Sequence, residues 1–239
     1  MFMFFDWTVV LLIPAVILAM FAQAKVSGNL KKFSKAPMMG KMNGAAVAAK
    51  ILEDHGIRDV TIERLSEKQA WGDHYDPKAK AIRLSPHVYD TNSISAVAVA
   101  AHEVGHAIQH NEGYTPLVVR SGMFPAVRIS SGAAFPLLFA GLILGMMGFI
   151  APQFASLLIN IGIILFTVVV LFQIVTLPVE FNASRRAMEI LESGRYFNND
   201  AEARGAKKVL SAAAMTYVAA AAMAVTQLIR FLIIASQNR

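Results

Sequence analysis

Four long apolar stretches, separated by polar segments, dominate the pattern of the chain. They lie in residues 1–24, in the two halves of 133–177, and in 209–239. A helix crosses a bilayer with roughly 20 apolar residues, a length that each stretch approaches or exceeds. Residues 151–153 form a short link, so we expect 133–177 to be a transmembrane hairpin whose outer ends face one side. The pattern predicts a mainly α membrane protein with about four transmembrane helices, the last of which either spans the bilayer or packs against the other helices.

Residues 25–132 have the mixed periodicity of a small α+β domain. Its predicted elements are a helix at 44–55, strands at 60–65 and 81–84, and a helix at 94–110. The last helix begins with turns that are apolar on every side, which indicates a buried element. The two strands predict a small sheet, and its edge strand either receives a substrate strand or is covered.

Two further segments connect this domain to the apolar stretches. Residues 114–132 mix prolines and arginines with apolar residues, and we expect them to lie along the membrane surface. Residues 178–208 are predicted to begin a helix at Pro178, because proline is favoured in the first turn of a helix.

The N-terminal stretch, residues 1–24, allows two interpretations. Ala22-Gln23-Ala24 resembles a signal-peptidase site. A signal peptide carries positive charge before its apolar region, whereas here the lysines begin at Lys25, after it. We therefore expect a retained transmembrane anchor rather than a cleaved signal peptide.

The distribution of positive charge predicts the orientation in the membrane. Nearly all Lys and Arg residues fall in 25–132 and 178–208, and none precedes residue 25. Cytoplasmic segments of membrane proteins are enriched in these residues. We expect a multi-pass protein of the bacterial inner or plasma membrane, with the polar domain in the cytoplasm.

The motif that carries chemistry is His102-Glu103-x-x-His106, inside the predicted helix 94–110. Residues four apart share one face of a helix, so both imidazoles can hold one zinc ion. Glu103 is placed to act on the attacking water of a hydrolytic reaction. The alternative is a surface helix with two solvated histidines.

A catalytic zinc requires a third protein ligand. His110 is excluded, because eight residues of helix separate it from His102 by about 12 Å. The predicted hairpin returns the chain to the compartment of His102, and Glu180 follows it directly. We therefore predict Glu180 as the third ligand, although a carboxylate in the first turn of a helix also complements the helix dipole.

Composition excludes several classes of site. The chain has no Cys, which excludes thiolate ligands, a Cys nucleophile and disulfides. The net charge is +6, but the sequence contains no nucleic-acid-binding motif, so we expect no nucleic-acid partner. Residues 133–177 contain no charged residue, which argues against a transporter.

Longer strings around these residues resemble a known family. They are residues 73–77, Arg83-Leu84-Ser85-Pro86, residues 101–110 and residues 178–184. In these strings the chain resembles the bacterial membrane zinc metallopeptidases of the YugP type, the neutral zinc metallopeptidase family. It is similar, more distantly, to the HtpX-like and CAAX-prenyl-protease gluzincins, whose third ligand is a Glu on a later helix.

The resemblance also bears on the groups around the metal. In the gluzincins an Asp four residues after the Glu ligand steadies the first His, and Ser184 stands there in this chain. A hydroxyl accepts more weakly than a carboxylate, which leaves Ser184, Asn182 or a backbone carbonyl as the partner of His102. Candidates for stabilising the oxyanion are His74, Tyr75, Arg185 and Tyr217.

These features predict that residues 25–132 form a zincin-like catalytic domain with the metal helix at 94–110. They predict a membrane zinc metalloendopeptidase that acts on protein or peptide substrates, chiefly membrane or juxtamembrane segments. The alternative from a different class is a membrane scaffold with a structural zinc. A structural site would require a fourth protein ligand, such as His74. The oligomeric state, the substrate and the cleavage preference cannot be deduced from the sequence.

Overall fold

The computed structural model describes residues 7–69 and 72–237 of the chain. The first six residues of the predicted anchor, and the last two of the segment 209–239, lie outside the described residues. The helices are α1 (Ile13–Phe33), α2 (Gly44–Asp54), α3 (Pro86–Tyr89), α4 (Ile94–Asn111), α5 (Thr115–Met146), α6 (Pro152–Ser193) and α7 (Asp200–Gln237). The strands are β1 (Thr61–Arg64), β2 (His74–Asp76) and β3 (Ala81–Leu84). The protein is mainly α-helical with one small sheet, as predicted.

Four helices of the described chain are long and apolar enough to cross a membrane. They are Trp7–Phe33 (α1 and the short 3₁₀ turn before it), Thr115–Met146 (α5), Pro152–Ser193 (α6) and Asp200–Ser236 (within α7). The fold class predicted from the apolar pattern is confirmed: this is a membrane protein with about four candidate spanning helices. Apolar side chains on these helices are largely exposed, as expected of surfaces that lipid covers.

The chain divides into two compact units, which we name the span unit and the site unit. The span unit consists of residues up to 21, 119–177, and 217 onward. The site unit comprises Ala22–Val118 and Pro178–Thr216. Within the span unit, Phe135, Phe166 and Phe231 pack edge to face around a small apolar core.

The site unit is built around α4, which begins as predicted. Ser93 caps it by accepting a hydrogen bond from the Ala96 N–H, and Gly113 follows its end in the left-handed conformation. α2 is capped in the same way by Asn43 and is also close to its predicted bounds. Almost every residue of α4 is buried, because its apolar turns form the centre of the larger hydrophobic core.

The sheet of the site unit has the strand order β1-β3-β2. β1 runs parallel to β3, with Ile62 opposite Ile82, and β2 runs antiparallel to β3, with Tyr75 also opposite Ile82. The central strand β3 is almost entirely buried. The two predicted strands are confirmed as β1 and β3, whereas β2 was not predicted because it has only three residues.

Two predicted helix starts are wrong. Pro178 lies inside α6, which continues without a break to Ser193, and the helix expected to start at residue 133 begins at Thr115. A proline inside a helix removes one backbone hydrogen bond and crowds the carbonyl four residues before it, and long membrane helices tolerate this where neighbouring groups satisfy the freed carbonyl. The segments 114–132 and 178–208 are therefore largely parts of longer helices, and the placement of 114–132 along the membrane surface stays a prediction.

Candidate metal centre

The two histidines of the motif lie on one face of α4. Their ring centroids are 4.7 Å apart and the ring planes are nearly perpendicular. Most of the helix is buried, so the backbone that carries the imidazoles is held rigidly. This local geometry follows from the spacing of four residues in a helix.

Glu180 reaches the same place from α6. Its Oε2 lies 3.3 Å from Nε2 of His102 and 3.6 Å from Nε2 of His106, and its side chain is 2% exposed. One ligand atom from each of the three residues lies within 4.8 Å of the others. The structure thus brings together the three residues that the sequence analysis singled out as ligands.

This donor set suits zinc. Two imidazole nitrogens and one carboxylate oxygen form the ligand type of catalytic zinc sites, whereas calcium and magnesium prefer all-oxygen sites. Both Nε2 atoms face the Glu180 carboxylate, since each ring uses its Nδ1 elsewhere. A buried carboxylate between two imidazoles is costly without a cation, which is a further indication that the cluster is a metal site.

The two Nδ1 atoms have different partners. Nδ1 of His102 lies 3.2 Å from Oγ of Ser184, the position that the family resemblance pointed to. Nδ1 of His106 lies 3.0 Å from Oε1 of Gln109. Hydrogen bonds of this kind orient the rings of metal-binding histidines.

Gln109 was not among the sequence candidates. Its signal was a polar side chain three residues after His106, on the helix face that carries the two histidines. Asn182, one of the candidates for His102, instead accepts hydrogen bonds from Gln109 Nε2 at 2.9 Å and Arg186 Nε at 2.7 Å. Its contacts therefore connect it with His106, through Gln109.

Glu103 is adjacent to the ligands and is 7% exposed. Burial raises the pKa of its carboxyl to about 7, the positive potential near His102 opposes the rise, and the charges of Glu180 and Asp73 add to it. The carboxylate accepts a hydrogen bond from the backbone N–H of Tyr75, on the edge strand β2. The motif is therefore connected directly to an edge strand of the sheet.

The Asp73 carboxylate, just before β2, forms two hydrogen bonds with Ser85. It accepts from the Ser85 N–H at 2.6 Å and from the Ser85 hydroxyl at 3.2 Å. Burial raises the pKa of its carboxyl, and the two bonds to Ser85 oppose the rise. This contact ties the start of β2 to the end of β3.

Three of the four oxyanion candidates, His74, Tyr75 and Arg185, have partners other than the three ligand atoms. The His74 ring bonds to the Gly72 carbonyl, and Arg185 forms an exposed ion pair with Glu189 at 2.9 Å. The Tyr75 hydroxyl lies 2.7 Å from Nδ1 of His110, and burial raises the pKa of this phenol to about 12. Tyr217 belongs to the span unit.

Comparisons with known proteins agree with this geometry. The chain matches the model of the family described as "Putative neutral zinc metallopeptidase" over residues 8–236. It is 46% identical over 230 residues to "Putative membrane protease YugP" of Bacillus subtilis (strain 168), covering 96% of this chain and 96% of that protein. No solved structure matches the chain. The chain, a membrane protein with a His102, His106 and Glu180 cluster suited to zinc, belongs to the neutral zinc metallopeptidase family.

Proposed function

We propose that this protein is a membrane-bound zinc endopeptidase that hydrolyses peptide bonds with an activated water. The observation that carries the proposal is the position of Glu103, a buried carboxylate next to three convergent ligand side chains. A site of purely structural zinc has no need for such a group. The family description and the name of the relative support a protease.

In the proposed reaction Glu103 acts as general base and then as general acid. It takes the proton of the attacking water and delivers it to the leaving amine. A zinc ion held by His102, His106 and Glu180 would supply the Lewis acidity that polarises the scissile carbonyl and lowers the pKa of that water. Ser184 and Gln109 keep the two imidazoles oriented throughout.

The edge strand β2 is the proposed binding place for the substrate backbone. It pairs on one side with β3, and on the other side the Tyr75 N–H already donates to Glu103. A peptide added along this edge would lie against the general base. Backbone pairing of this kind is sequence-tolerant, and specificity would come from side-chain pockets.

We propose membrane or juxtamembrane segments of proteins as the substrates. Glu180 lies on the same continuous helix as the apolar stretch that ends at Leu177. Three residues of helix correspond to about 4.5 Å, so the ligand stands within one turn of that stretch. The positive charge in 25–132 and 178–208 favours a cytoplasmic site in the plasma membrane.

The alternative, a scaffold with a structural zinc, requires a fourth protein ligand. Among residues 7–69 and 72–237, only His102, His106 and Glu180 are grouped closely enough to bind one metal ion. His74, the fourth ligand that a structural site would use, is hydrogen-bonded through its ring to the Gly72 carbonyl instead. This arrangement favours the hydrolytic site, which keeps a coordination position open for water.

The Glu103→Gln variant tests the proposal. The full-length protein would be purified, loaded with zinc, and assayed on an unfolded and on a membrane-anchored reporter protein. We expect proteolysis to fall at least 100-fold, a typical loss for a general base, while one zinc per chain remains bound. Glu53→Gln is the matched control, because Glu53 is an exposed carboxylate on α2 of the same unit. Undiminished cleavage by Glu103→Gln would refute the mechanism.

A further inference from the structure

Gln109 makes three hydrogen bonds from a side chain that is 0% exposed. Its Oε1 faces Nδ1 of His106 at 3.0 Å. Its Nε2 donates to the Val179 carbonyl and to Oδ1 of Asn182, each at 2.9 Å. One amide on α4 therefore contacts a motif histidine and the two residues that flank Glu180 within one turn of α6.

The direction of this amide is determined by its neighbours. The Val179 carbonyl can only accept a hydrogen bond. The Asn182 atom also accepts from Arg186 Nε at 2.7 Å, so it must be the amide oxygen. The end of Gln109 that faces α6 is therefore the NH₂ group, and the end that faces His106 is the oxygen.

The tautomer of His106 follows from the direction of the amide. An amide oxygen cannot donate, so Nδ1 of His106 must carry the hydrogen. In the neutral imidazole, Nε2 then keeps its lone pair, and it is Nε2 that lies 3.6 Å from Oε2 of Glu180. The Ser184 hydroxyl beside His102 does not impose such a choice, because a hydroxyl can accept or donate.

We propose that Gln109 is a positioning residue of the metal centre, and this inference rests on the proposed function above. It holds His106 in the metal-binding tautomer, and its NH₂ group fixes the register of α6 so that Glu180 meets the two imidazoles. An apolar residue of the same size would remove the acceptor of the His106 N–H and one donor each from the Val179 carbonyl and the Asn182 oxygen. The same substitution would therefore disturb two of the three ligands at once.

Zinc affinity of the full-length protein tests this role without any substrate. Affinity would be measured by competition with a chelator, and the absorption spectrum of the Co²⁺-loaded protein would report the ligand geometry. We expect Gln109→Leu to weaken zinc binding 10- to 100-fold, the usual effect of losing a partner of a metal-binding histidine, and to change the cobalt spectrum. Gln109→Glu keeps an acceptor for His106 and should recover part of the affinity.

Ile108→Ala is the matched control for lost packing. Ile108 is a buried neighbour on the same helix, and its truncation removes core packing without removing a side-chain hydrogen bond. We expect this variant to retain wild-type zinc affinity and cobalt spectrum. Equal losses in Ile108→Ala and Gln109→Leu would show that Gln109 acts through general stability, and unchanged zinc affinity in Gln109→Leu would overturn the proposal outright.

If Gln109→Leu does not fold, Asn182→Ala provides a second test of the same hydrogen bonds. It removes one acceptor of the Gln109 NH₂ group and leaves the Val179 contact, so a smaller loss of zinc affinity is expected. Wild-type affinity in both Asn182→Ala and Gln109→Glu would contradict the proposal. A wild-type protein that binds zinc but cleaves no reporter would refute the proposed function alone, since none of these measurements uses a substrate.

Discussion

Gly105, inside the motif, faces the backbone carbonyl of Ala183 on α6. A Cβ added to Gly105 would lie 2.8 Å from the Ala183 oxygen and 3.3 Å from its Cα. The neighbour is backbone of a long helix, which cannot rotate aside as a side chain does. The absence of a side chain at residue 105 is therefore what lets the helix of Glu180 approach the helix of His102.

Gly105→Ala should force the two helices apart. We expect a loss of about 1–3 kcal/mol in stability from overpacking, together with weaker zinc binding, because Glu180 moves away with α6. Thermal unfolding in detergent and zinc content would measure the two effects. Gly28→Ala is the control, since a Cβ at this helical position meets nothing within 4 Å. Wild-type zinc content in Gly105→Ala would contradict this reading of the contact.

Ser184→Ala should weaken zinc binding by removing the partner of the His102 Nδ1. The expected range is about 10-fold to 100-fold. Ser184→Asp should bind zinc at least as tightly as the wild type, because a carboxylate accepts from an imidazole N–H more strongly than a hydroxyl. Ser193→Ala, which removes an exposed hydroxyl near the end of the same helix, should leave the affinity unchanged. We expect zinc affinity to decrease in the order Ser184→Asp, wild type, Ser184→Ala, and competition with a chelator would measure it.

His102→Ala and Glu180→Ala should each lose most of the bound zinc. Each substitution leaves two of the three ligands grouped in the structure, fewer than a catalytic zinc site provides. Metal analysis of the purified variants beside wild type gives the answer directly. Glu189→Ala serves as control on the same helix, because Glu189 is an exposed carboxylate paired only with Arg185 among the contacts described. Full zinc occupancy in Glu180→Ala would exclude Glu180 as a ligand.

Asp73→Ala should destabilise the site unit. It removes both acceptors of Ser85 and leaves the Ser85 backbone N–H without a partner in a buried position, at a cost of about 1–3 kcal/mol. Asp73→Asn keeps one acceptor oxygen and should lose less. Thermal unfolding of both variants would measure the difference, and equal stability of the Ala variant and wild type would rule out the contact as a stabilising one.

The orientation in the membrane can be tested with single cysteines, because the natural chain has none. Lys68→Cys places a thiol at an exposed position between β1 and β2, and Met147→Cys places one just after the end of α5. With a membrane-impermeant maleimide on intact cells, we expect Met147→Cys to react. Lys68→Cys should react only after permeabilisation, and the reverse pattern would place the metal site outside the cytoplasm.

Local patterns predicted the elements that depend on neighbouring residues. The bounds of α4 and the two main strands follow from backbone chemistry within a few residues; in α4 the structure shows this as the Ser93 cap and the left-handed Gly113. The predicted start at Pro178 failed because a single proline is a weak signal beside the continuous packing of a long helix. β2 escaped prediction because three residues carry too little periodicity.

The sequence by itself determined that this is a membrane protein and that His102 and His106 share one face of a helix, since hydrophobic length and helical spacing are local properties. Only the tertiary structure decided how Glu180, 78 positions after His102, meets the imidazoles. It also decided the partners of their Nδ1 atoms, Ser184 and Gln109. Those contacts depend on the close approach of α4 and α6 at Gly105 and on hydrogen bonds between these two helices. The residue pattern within one helix cannot predict them.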